Sequence, residues 1–295
     1  DLKTNWWCIK RYINLNNLFS NKKITFFINH IPKNVIKKEN DIFIFLQVES
    51  SLVISNTIKY FLDTYDIFFD KLLVFDERLL KKYKNATLFL PNSKWFWVNP
   101  TNEIKINYNL PNHSPIEYKI ENKKFQVSML CGDKIWCPGH KIRREFWLNQ
   151  EKIDIPKKFY YSLSNKNNGG TTKVLPIFKD NIEIKHKIDK TECFIDSMFH
   201  ISIENNKSNN YFTEKLIDCI ITKTIPIYFG CPNISNYFNI KGLIIINDIS
   251  DIDKINNLTD RYYYDNLKYI EENYNKLISM SSFERQIKNI IDIYN

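Results

Sequence analysis

Short apolar runs alternate with polar, helix-spaced stretches along the first part of the chain. Four of these runs predict buried strands, and they lie at residues 23–29, 41–48, 72–75 and 88–90. Between them, apolar residues recur with helical spacing over 54–62, and residues 76–83 form a shorter amphipathic segment. Strands that alternate with helices indicate a parallel α/β sheet.

The same pattern returns after a polar region over 99–124 that contains three prolines and reads as a linker. Further strands are predicted at 125–130, 199–203, 225–229 and 243–246. Helices are predicted after Gly139 and over 213–222, a loop over 164–173, and one or two closing helices over 261–294. We therefore expect an N-terminal α/β domain (1–120), a C-terminal α/β domain (121–260) and closing helices (261–295), with a cleft between the two α/β domains.

Charge and composition narrow the function classes. The net charge of +9 favours an anionic partner, although a solvated lysine-rich surface also accounts for it. The six glycines are scattered, so a glycine-rich phosphate loop is excluded. A nucleic-acid-binding protein is not expected, because no RNP-like, helix-turn-helix or zinc-finger pattern occurs. No apolar run approaches the ~18 residues that a membrane span needs.

The cysteines give no metal or disulfide framework, because the six cysteines show no repeated CxxC spacing. Cys131, Cys137 and His140 would supply three zinc ligands, but no fourth follows at suitable spacing, so we expect no metal site. A glycan on the sequon at Asn206 would obstruct the candidate site described next. Together with free cysteines, this favours a cytoplasmic location.

The stretch from Phe199 to Pro232 contains the highest concentration of candidate functional residues. A buried strand delivers Glu204 and Asn205 at its carboxyl end, and Thr213 then caps a helix that begins with Glu214 and Lys215. Ligands of open α/β sheets bind outside the carboxyl ends of the strands, and a helix N-terminus there favours an anion. An ordinary strand–loop–helix with a capping threonine is the alternative.

The run E-N-(x5)-Y-F-T-E-K-L-I-D-(x6)-I-P-I-Y-F-G-C-P resembles the donor-binding motif of the α1,3-fucosyltransferases. The match is ungapped over 199–238 and looser over the rest of 125–250. This resemblance implies a GT-B-like fold of two Rossmann-like α/β domains. It also implies inverting, metal-independent transfer of fucose from GDP-fucose.

The resemblance assigns donor binding to several residues, which are Arg143 (with Arg144 as the alternative), Glu204, Asn205, Tyr211, Thr213, Glu214 and Lys215. Arginine and lysine would neutralise the diphosphate, and Glu214 would accept hydrogen bonds from the ribose. Glu204 and Asn205 would face the sugar or the ribose. The sequence departs from the family pattern in the loop 207–210 and by an insertion after Cys131. The one DxD pattern, Asp251-Ile-Asp253, is expected on a surface loop.

Glu49 is the candidate general base, because its strand resembles the family strand that ends in the proposed catalytic glutamate. The other candidates in the same half are Asp66, Asp70 and Glu77. Trp95 and Trp97 would stack on an acceptor sugar or pack in the core.

The leading hypothesis is a glycosyltransferase that takes a nucleotide-sugar donor and a glycan or glycosylated acceptor, with no cofactor and no metal. The same fold with another nucleotide sugar is the alternative within enzymes. An inactive glycan-binding module is a further alternative, which the joint presence of Arg143, Glu214 and Lys215 disfavours.

Overall fold

The computed structural model describes residues 23–31, 35–65, 67–92, 120–162, 193–281 and 283–294. The chain divides into two compact units. The first unit comprises Asp1–Pro91, Ser208–Tyr211 and Ser281–Asn295. The second comprises Asn92–Lys207 and Phe212–Met280.

The first unit is built on a parallel sheet of four strands in sequential order. These are β1 (Lys23–Ile28), β2 (Asp41–Leu46), β3 (Lys71–Val74) and β4 (Ala86–Leu88). Two helices connect them, α1 (Ser55–Asp63) and α2 (Glu77–Lys82). Parallel strands need crossover connections, which are usually helices. The predicted alternation of strands and helices is therefore consistent with this parallel sheet.

The second unit is built on a parallel sheet in the order β6-β5-β7-β8-β9. Its strands are β5 (Lys124–Gly132), β6 (Lys157–Ser162), β7 (Ser197–Ile203), β8 (Ile225–Phe229) and β9 (Ile244–Ile245). Its helices are α3 (Pro138–Leu148), α4 (Glu214–Ile221), α5 (Ile252–Asn256), α6 (Asp260–Asp265) and α7 (Leu267–Ser279). Every residue of β7 is buried, as expected for a central strand covered on both faces.

The last helix, α8 (Phe283–Tyr294), belongs to the first unit. Ile287 and Ile290 pack into the cluster that contains Phe26, Ile44 and Leu73. The sequence predicts one or two closing helices over 261–294, whereas α6, α7 and α8 occupy this region. The domain bounds expected from sequence also differ from the two units, because contacts between α8 and the first sheet join segments far apart in the chain.

Some sequence predictions differ from the structure and others lie outside the described residues. The strand β6 was not predicted from the sequence, because it begins with two lysines and lacks a continuous apolar run. In the structure it pairs with β5. Asp251 and Asp253 lie in a 3₁₀ turn and in α5, not in a loop, and Asp251 pairs with Lys254 at 2.8 Å. The following sequence predictions concern residues outside the described ranges: the loop 164–173, most of the linker, Asp66, Trp95 and Trp97.

In the described part of the chain, no helix has both the length and the apolar character of a membrane span.

Candidate functional site

The carboxyl end of β7 presents Glu204, whose side chain is fully buried. Its backbone N–H donates to the carbonyl oxygen of Phe229 on β8 at 2.8 Å, which continues the sheet by one residue. Its carboxylate accepts two hydrogen bonds from Thr213, one from the backbone N–H and one from the hydroxyl, both at 2.7 Å. Burial raises the pKa of Glu204, and the nearby Lys215 ammonium opposes this rise. The carboxylate therefore holds the start of α4 against the end of β7.

Lys215 lies in the first turn of α4, where Thr213 is the N-cap residue. Its Nζ donates to Glu214 Oε1 at 2.9 Å and to Thr213 Oγ1 at 3.1 Å, and it lies 3.8 Å from Glu204 Oε2. Burial disfavours the charged form, but the Glu214 and Glu204 carboxylates raise the pKa of Lys215 above its ordinary value. With 22% of its side chain exposed, Lys215 is a fixed cation that a ligand can reach.

Two glycines allow close approach of the backbone around Glu204. A Cβ on Gly139 would lie 1.7 Å from the carbonyl oxygen of Glu204, and a Cβ on Gly230 would lie 2.6 Å from its Cγ. The N–H of Gly139 also donates to the carbonyl oxygen of Asn205 at 3.1 Å. The N-terminus of α3 is thereby fixed to the end of β7, and residues with side chains would separate them.

The first two turns of α3 add a second cation. Nη2 of Arg143 donates to Oδ1 of Asn205 at 2.7 Å, and the Asn205 side chain also lies close enough to His140 to act on the pKa of that ring. Nδ1 of His140 accepts from the N–H of Cys137 at 3.3 Å, so the neutral ring has its proton on Nε2. Burial, together with the charges of Arg143, Lys134 and Lys215, lowers the pKa of His140 to about 4. His140 thus caps the start of α3, and its ring is buried.

A cavity of about 210 Å³ lies beside these two cations. It is lined by Leu130, Gly132, Arg143, Phe194, His200, Ile201, Ser202, Ile203, Glu214 and Lys215. The cavity is smaller than the ~300–1,000 Å³ typical of whole small-molecule sites, so we expect it to enclose one part of a larger ligand. It places a cationic pair and a carboxylate at the edge of an apolar recess.

Sequence reasoning missed Ser202 and His200. The Ser202 hydroxyl is buried and has no hydrogen-bond partner among the described residues. Nδ1 of His200 lies 2.9 Å from Oγ of Ser128 on the neighbouring strand. The signal was that His200 and Ser202 occupy alternate positions between apolar residues of β7, which places both on one face of the sheet.

The structure separates the donor-binding candidates of the second unit into three groups. Arg143, Glu214 and Lys215 line the cavity, with Asn205 bound to Arg143. Arg144 is not among the cavity-lining residues; its charge acts on Cys131 and Tyr161. Glu204 and Thr213 bind each other, although the sequence placed Glu204 against the sugar or ribose.

Tyr211 falls within the segment that belongs to the first unit. Its ring is almost fully buried, with its centroid 5.2 Å from that of Phe75. The preceding Asn210 has a left-handed backbone (φ 61°), and its side-chain amide donates to the carbonyl oxygen of Phe75 at 3.4 Å. In this position Tyr211 packs the loop in place. Direct contact with the donor stays a prediction.

Glu49 follows β2 in the first unit, and two amide side chains fix its backbone. Oδ1 of Asn29 accepts from the Glu49 N–H at 3.1 Å, and Nε2 of Gln47 donates to its carbonyl oxygen at 3.3 Å. Asp70 lies at the opposite, amino end of the sheet, where it accepts from the N–H of Phe43 and pairs with Lys37. Glu77 lies in α2 and accepts from the side-chain amide of Asn209 at 3.2 Å. The role of Glu49 as a base stays a prediction.

The candidate zinc ligands are not assembled as a metal site. Within the described ranges, no three His, Cys, Asp or Glu side chains cluster in a way that would hold a metal ion. Cys137 is the N-cap residue of α3, and the cysteines in these ranges (131, 137, 193, 219 and 231) are not in disulfide bonds.

Comparison with known proteins bears on this same region. Residues 176–283 match the family described as glycosyltransferase family 10 (fucosyltransferase), C-terminal part. These residues are therefore similar to the C-terminal part of glycosyltransferase family 10 fucosyltransferases. The match confirms the resemblance inferred from the sequence motif, and it includes Glu204, Thr213, Glu214 and Lys215.

One curated fucosyltransferase is similar in sequence to part of this chain. The α-(1,3)-fucosyltransferase FucT of Helicobacter pylori is 30% identical over 92 residues. That alignment covers 31% of this chain and 18% of the relative, so it spans less than a fifth of the relative's length.

Two solved structures are similar to almost the whole chain. One is an α1,3-fucosyltransferase with a TM-score of 0.55 and 18% identity, and the other is an α1,3-fucosyltransferase with GDP, with a TM-score of 0.51 and 19% identity. Each similarity covers 99% of this chain and 88% of the other. At these identities the likeness concerns the fold, and it confirms the predicted α/β, GT-B-like class.

Proposed function

We propose that the protein is an inverting, metal-independent glycosyltransferase that transfers fucose from GDP-fucose to a hydroxyl of a glycan acceptor. The observation that supports this most directly is that Arg143 and Lys215 line one cavity, and that Lys215 lies in the stretch similar to glycosyltransferase family 10. A nucleotide sugar has two negatively charged phosphates between a base and a sugar. Two fixed cations beside a recess match this distribution of charge.

Each part of the donor has a counterpart in the second unit. The base would enter the recess, where Ser202 offers a buried hydroxyl without a described partner. Glu214 would accept hydrogen bonds from the ribose hydroxyls, and Arg143 and Lys215 would bind the diphosphate. The α1,3-fucosyltransferase structure with GDP supports a guanine nucleotide as the donor's leaving group.

The transfer step conserves atoms and charge. The acceptor hydroxyl oxygen forms a bond to the anomeric carbon while the bond from that carbon to the diphosphate breaks. The electron pair leaves with the nucleoside diphosphate, and the hydroxyl proton passes to Glu49. A positioned base of this kind typically contributes about 10²–10⁴-fold to the rate. Attack opposite the leaving group inverts the anomeric configuration.

Metal independence is proposed because side-chain cations lie where the diphosphate charge would develop. Charge-assisted bonds from a fixed arginine and lysine stabilise such charge in the transition state, which is the role that a divalent cation has in other transferases. The high pKa of Lys215 keeps it charged throughout the neutral range.

The test is a transfer assay with radiolabelled GDP-fucose and a panel of glycan acceptors, with GDP-mannose and UDP-galactose as competing donors. We expect label transfer from GDP-fucose, with inversion visible by NMR of the product. Preferential transfer from another nucleotide sugar would replace the proposed donor, and a product that retains the donor's anomeric configuration would exclude the inverting mechanism. Lys215→Ala is the matched inactive control.

A further inference from the structure

The loop between β5 and α3 exposes two large apolar side chains next to the donor site. Ile135 is 48% exposed and Trp136 is 57% exposed. The loop begins after Gly132, a cavity-lining residue, and it ends at Cys137, the N-cap of the helix that bears Arg143. This loop is also where the sequence has its insertion relative to the fucosyltransferase pattern. Isolated exposed apolar residues are common, whereas these two are adjacent and lie in a loop that begins at a cavity-lining residue.

A continuous series of contacts relates Trp136 to the cavity. The indole ring lies edge-to-face with the ring of His140, at 5.1 Å between centroids and an angle of 77°. His140 follows Gly139, whose N–H donates to the carbonyl oxygen of Asn205 at 3.1 Å. The side chain of Asn205 accepts from Arg143, and Arg143 lines the cavity. Trp136 itself is not among the lining residues. The order from the inside outwards is therefore the recess, the cation, Asn205, His140 and Trp136.

This order matches the order of groups in a nucleotide sugar. If the base fills the recess and the cations hold the diphosphate, the group beyond the diphosphate is a sugar ring. A pyranose presents a face of C–H groups, and such faces pack on the faces of aromatic rings, which provide large apolar area at a low entropy cost. The contact with the buried His140 ring restricts the orientation of the indole, and 57% of Trp136 remains exposed.

We propose that Trp136 is a stacking platform for a pyranose ring at the mouth of the donor site. The proposal rests on the proposed function, since it takes the cavity as the nucleotide site. The pyranose is either the donor's own sugar or the first sugar of the acceptor. Both present the same chemistry to the indole.

Two calorimetric titrations and a measurement of the acceptor KM test the proposal. Each is made on Trp136→Ala, on Trp136→Phe and on the wild-type chain. Calorimetry with GDP and with GDP-fucose isolates the contribution of the donor sugar. If the donor sugar stacks, Trp136→Ala binds GDP-fucose about 5- to 20-fold more weakly and GDP unchanged, while Trp136→Phe stays within twofold of wild type. If the acceptor stacks, both donor affinities are unchanged and the acceptor KM rises about 5- to 20-fold in Trp136→Ala.

Tyr264→Ala is the matched control, because Tyr264 is a half-exposed aromatic residue on α6. It should change none of these values. An equal loss of GDP and GDP-fucose affinity in Trp136→Ala would overturn the proposal, as would no change in any of the three quantities. A wild-type chain that binds neither GDP nor GDP-fucose contradicts the proposed function instead, so the two failures are distinguishable.

Discussion

The Glu204 carboxylate binds the N-cap of the following helix through both the backbone N–H and the hydroxyl of Thr213, each at 2.7 Å. A single buried side chain thus joins the carboxyl end of β7 to the start of α4. Since Lys215 lies in the first turn of that helix and contacts Thr213, this pairing also sets the position of the cation.

Glu204→Gln should lower both stability and nucleotide affinity. The amide has one oxygen acceptor where the carboxylate has two, so one Thr213 donor is left unpaired in a buried place, at a cost of about 1–3 kcal/mol. For a chain of this size that amounts to a fall in melting temperature of roughly 2–10 °C, measured by thermal unfolding. Glu214→Gln is the control: its side chain is partly exposed, so stability should stay near wild type. Equal melting temperatures for Glu204→Gln and wild type would contradict this account.

Lys215→Ala and Arg143→Ala should each weaken GDP binding. Each loses a charge-assisted contact of roughly 1.5–3 kcal/mol, which corresponds to about 10- to 150-fold in affinity by isothermal titration. Arg144→Ala is the matched control, because Arg144 neighbours Arg143 on α3 but does not line the cavity. A large loss in Arg144→Ala with none in Arg143→Ala would reverse this assignment.

Glu49→Gln should reduce the transfer rate and leave nucleotide binding intact. The amide keeps the shape of the side chain but removes its basicity, so single-turnover transfer should fall by about 10²–10⁴-fold. Glu77→Gln, in the same unit, should transfer at close to the wild-type rate. If Glu77→Gln is slow and Glu49→Gln is not, the base is Glu77.

His140 should make the protein sensitive to mild acid. The folded pKa of about 4 lies below the ordinary 6.5, so between pH 6.5 and pH 4 the unfolded chain binds a proton here that the folded chain does not. This contribution to stability is complete above pH 6.5 and is lost as the pH falls towards 4. The melting temperature of His140→Gln should therefore fall less steeply over this range than that of wild type. His30→Gln, at an exposed position, should follow wild type; identical slopes for wild type and His140→Gln would exclude the effect.

Local patterns were enough to predict the strand–helix pair that forms the site. A two-sided buried strand appears as a continuous apolar run, and a threonine before an acidic first turn is a typical helix start, so β7 and α4 were recognised from sequence. Arg143 was placed by resemblance alone. The contact between its Nη2 and Asn205 joins residues 62 positions apart, and no local pattern encodes it.

The cavity and the inward role of Glu204 required the fold. Ser202 and Leu130 both line the cavity, but they belong to the neighbouring strands β7 and β5. They come together only when these two strands pair. Glu204 was predicted to face the ligand, because residues at the carboxyl ends of parallel strands often contact ligands. Its partner Thr213 follows an irregular loop whose path the sequence does not specify. The strand β6 was missed for a similar reason, since pairing with β5 determines it more than its own pattern does.

The most direct test of the central claim is a nucleotide panel on the wild-type chain in buffer with EDTA. Thermal unfolding is measured with GDP, UDP, CDP and ADP at equal concentration, since a ligand that binds only the folded state raises the melting temperature by mass action. We expect that GDP stabilises the protein most, that Lys215→Ala reduces the shift, and that added Mg²⁺ or Mn²⁺ leaves it unchanged. Preferential stabilisation by another nucleotide, or a GDP shift that appears only when the metal is restored, would contradict the central claim.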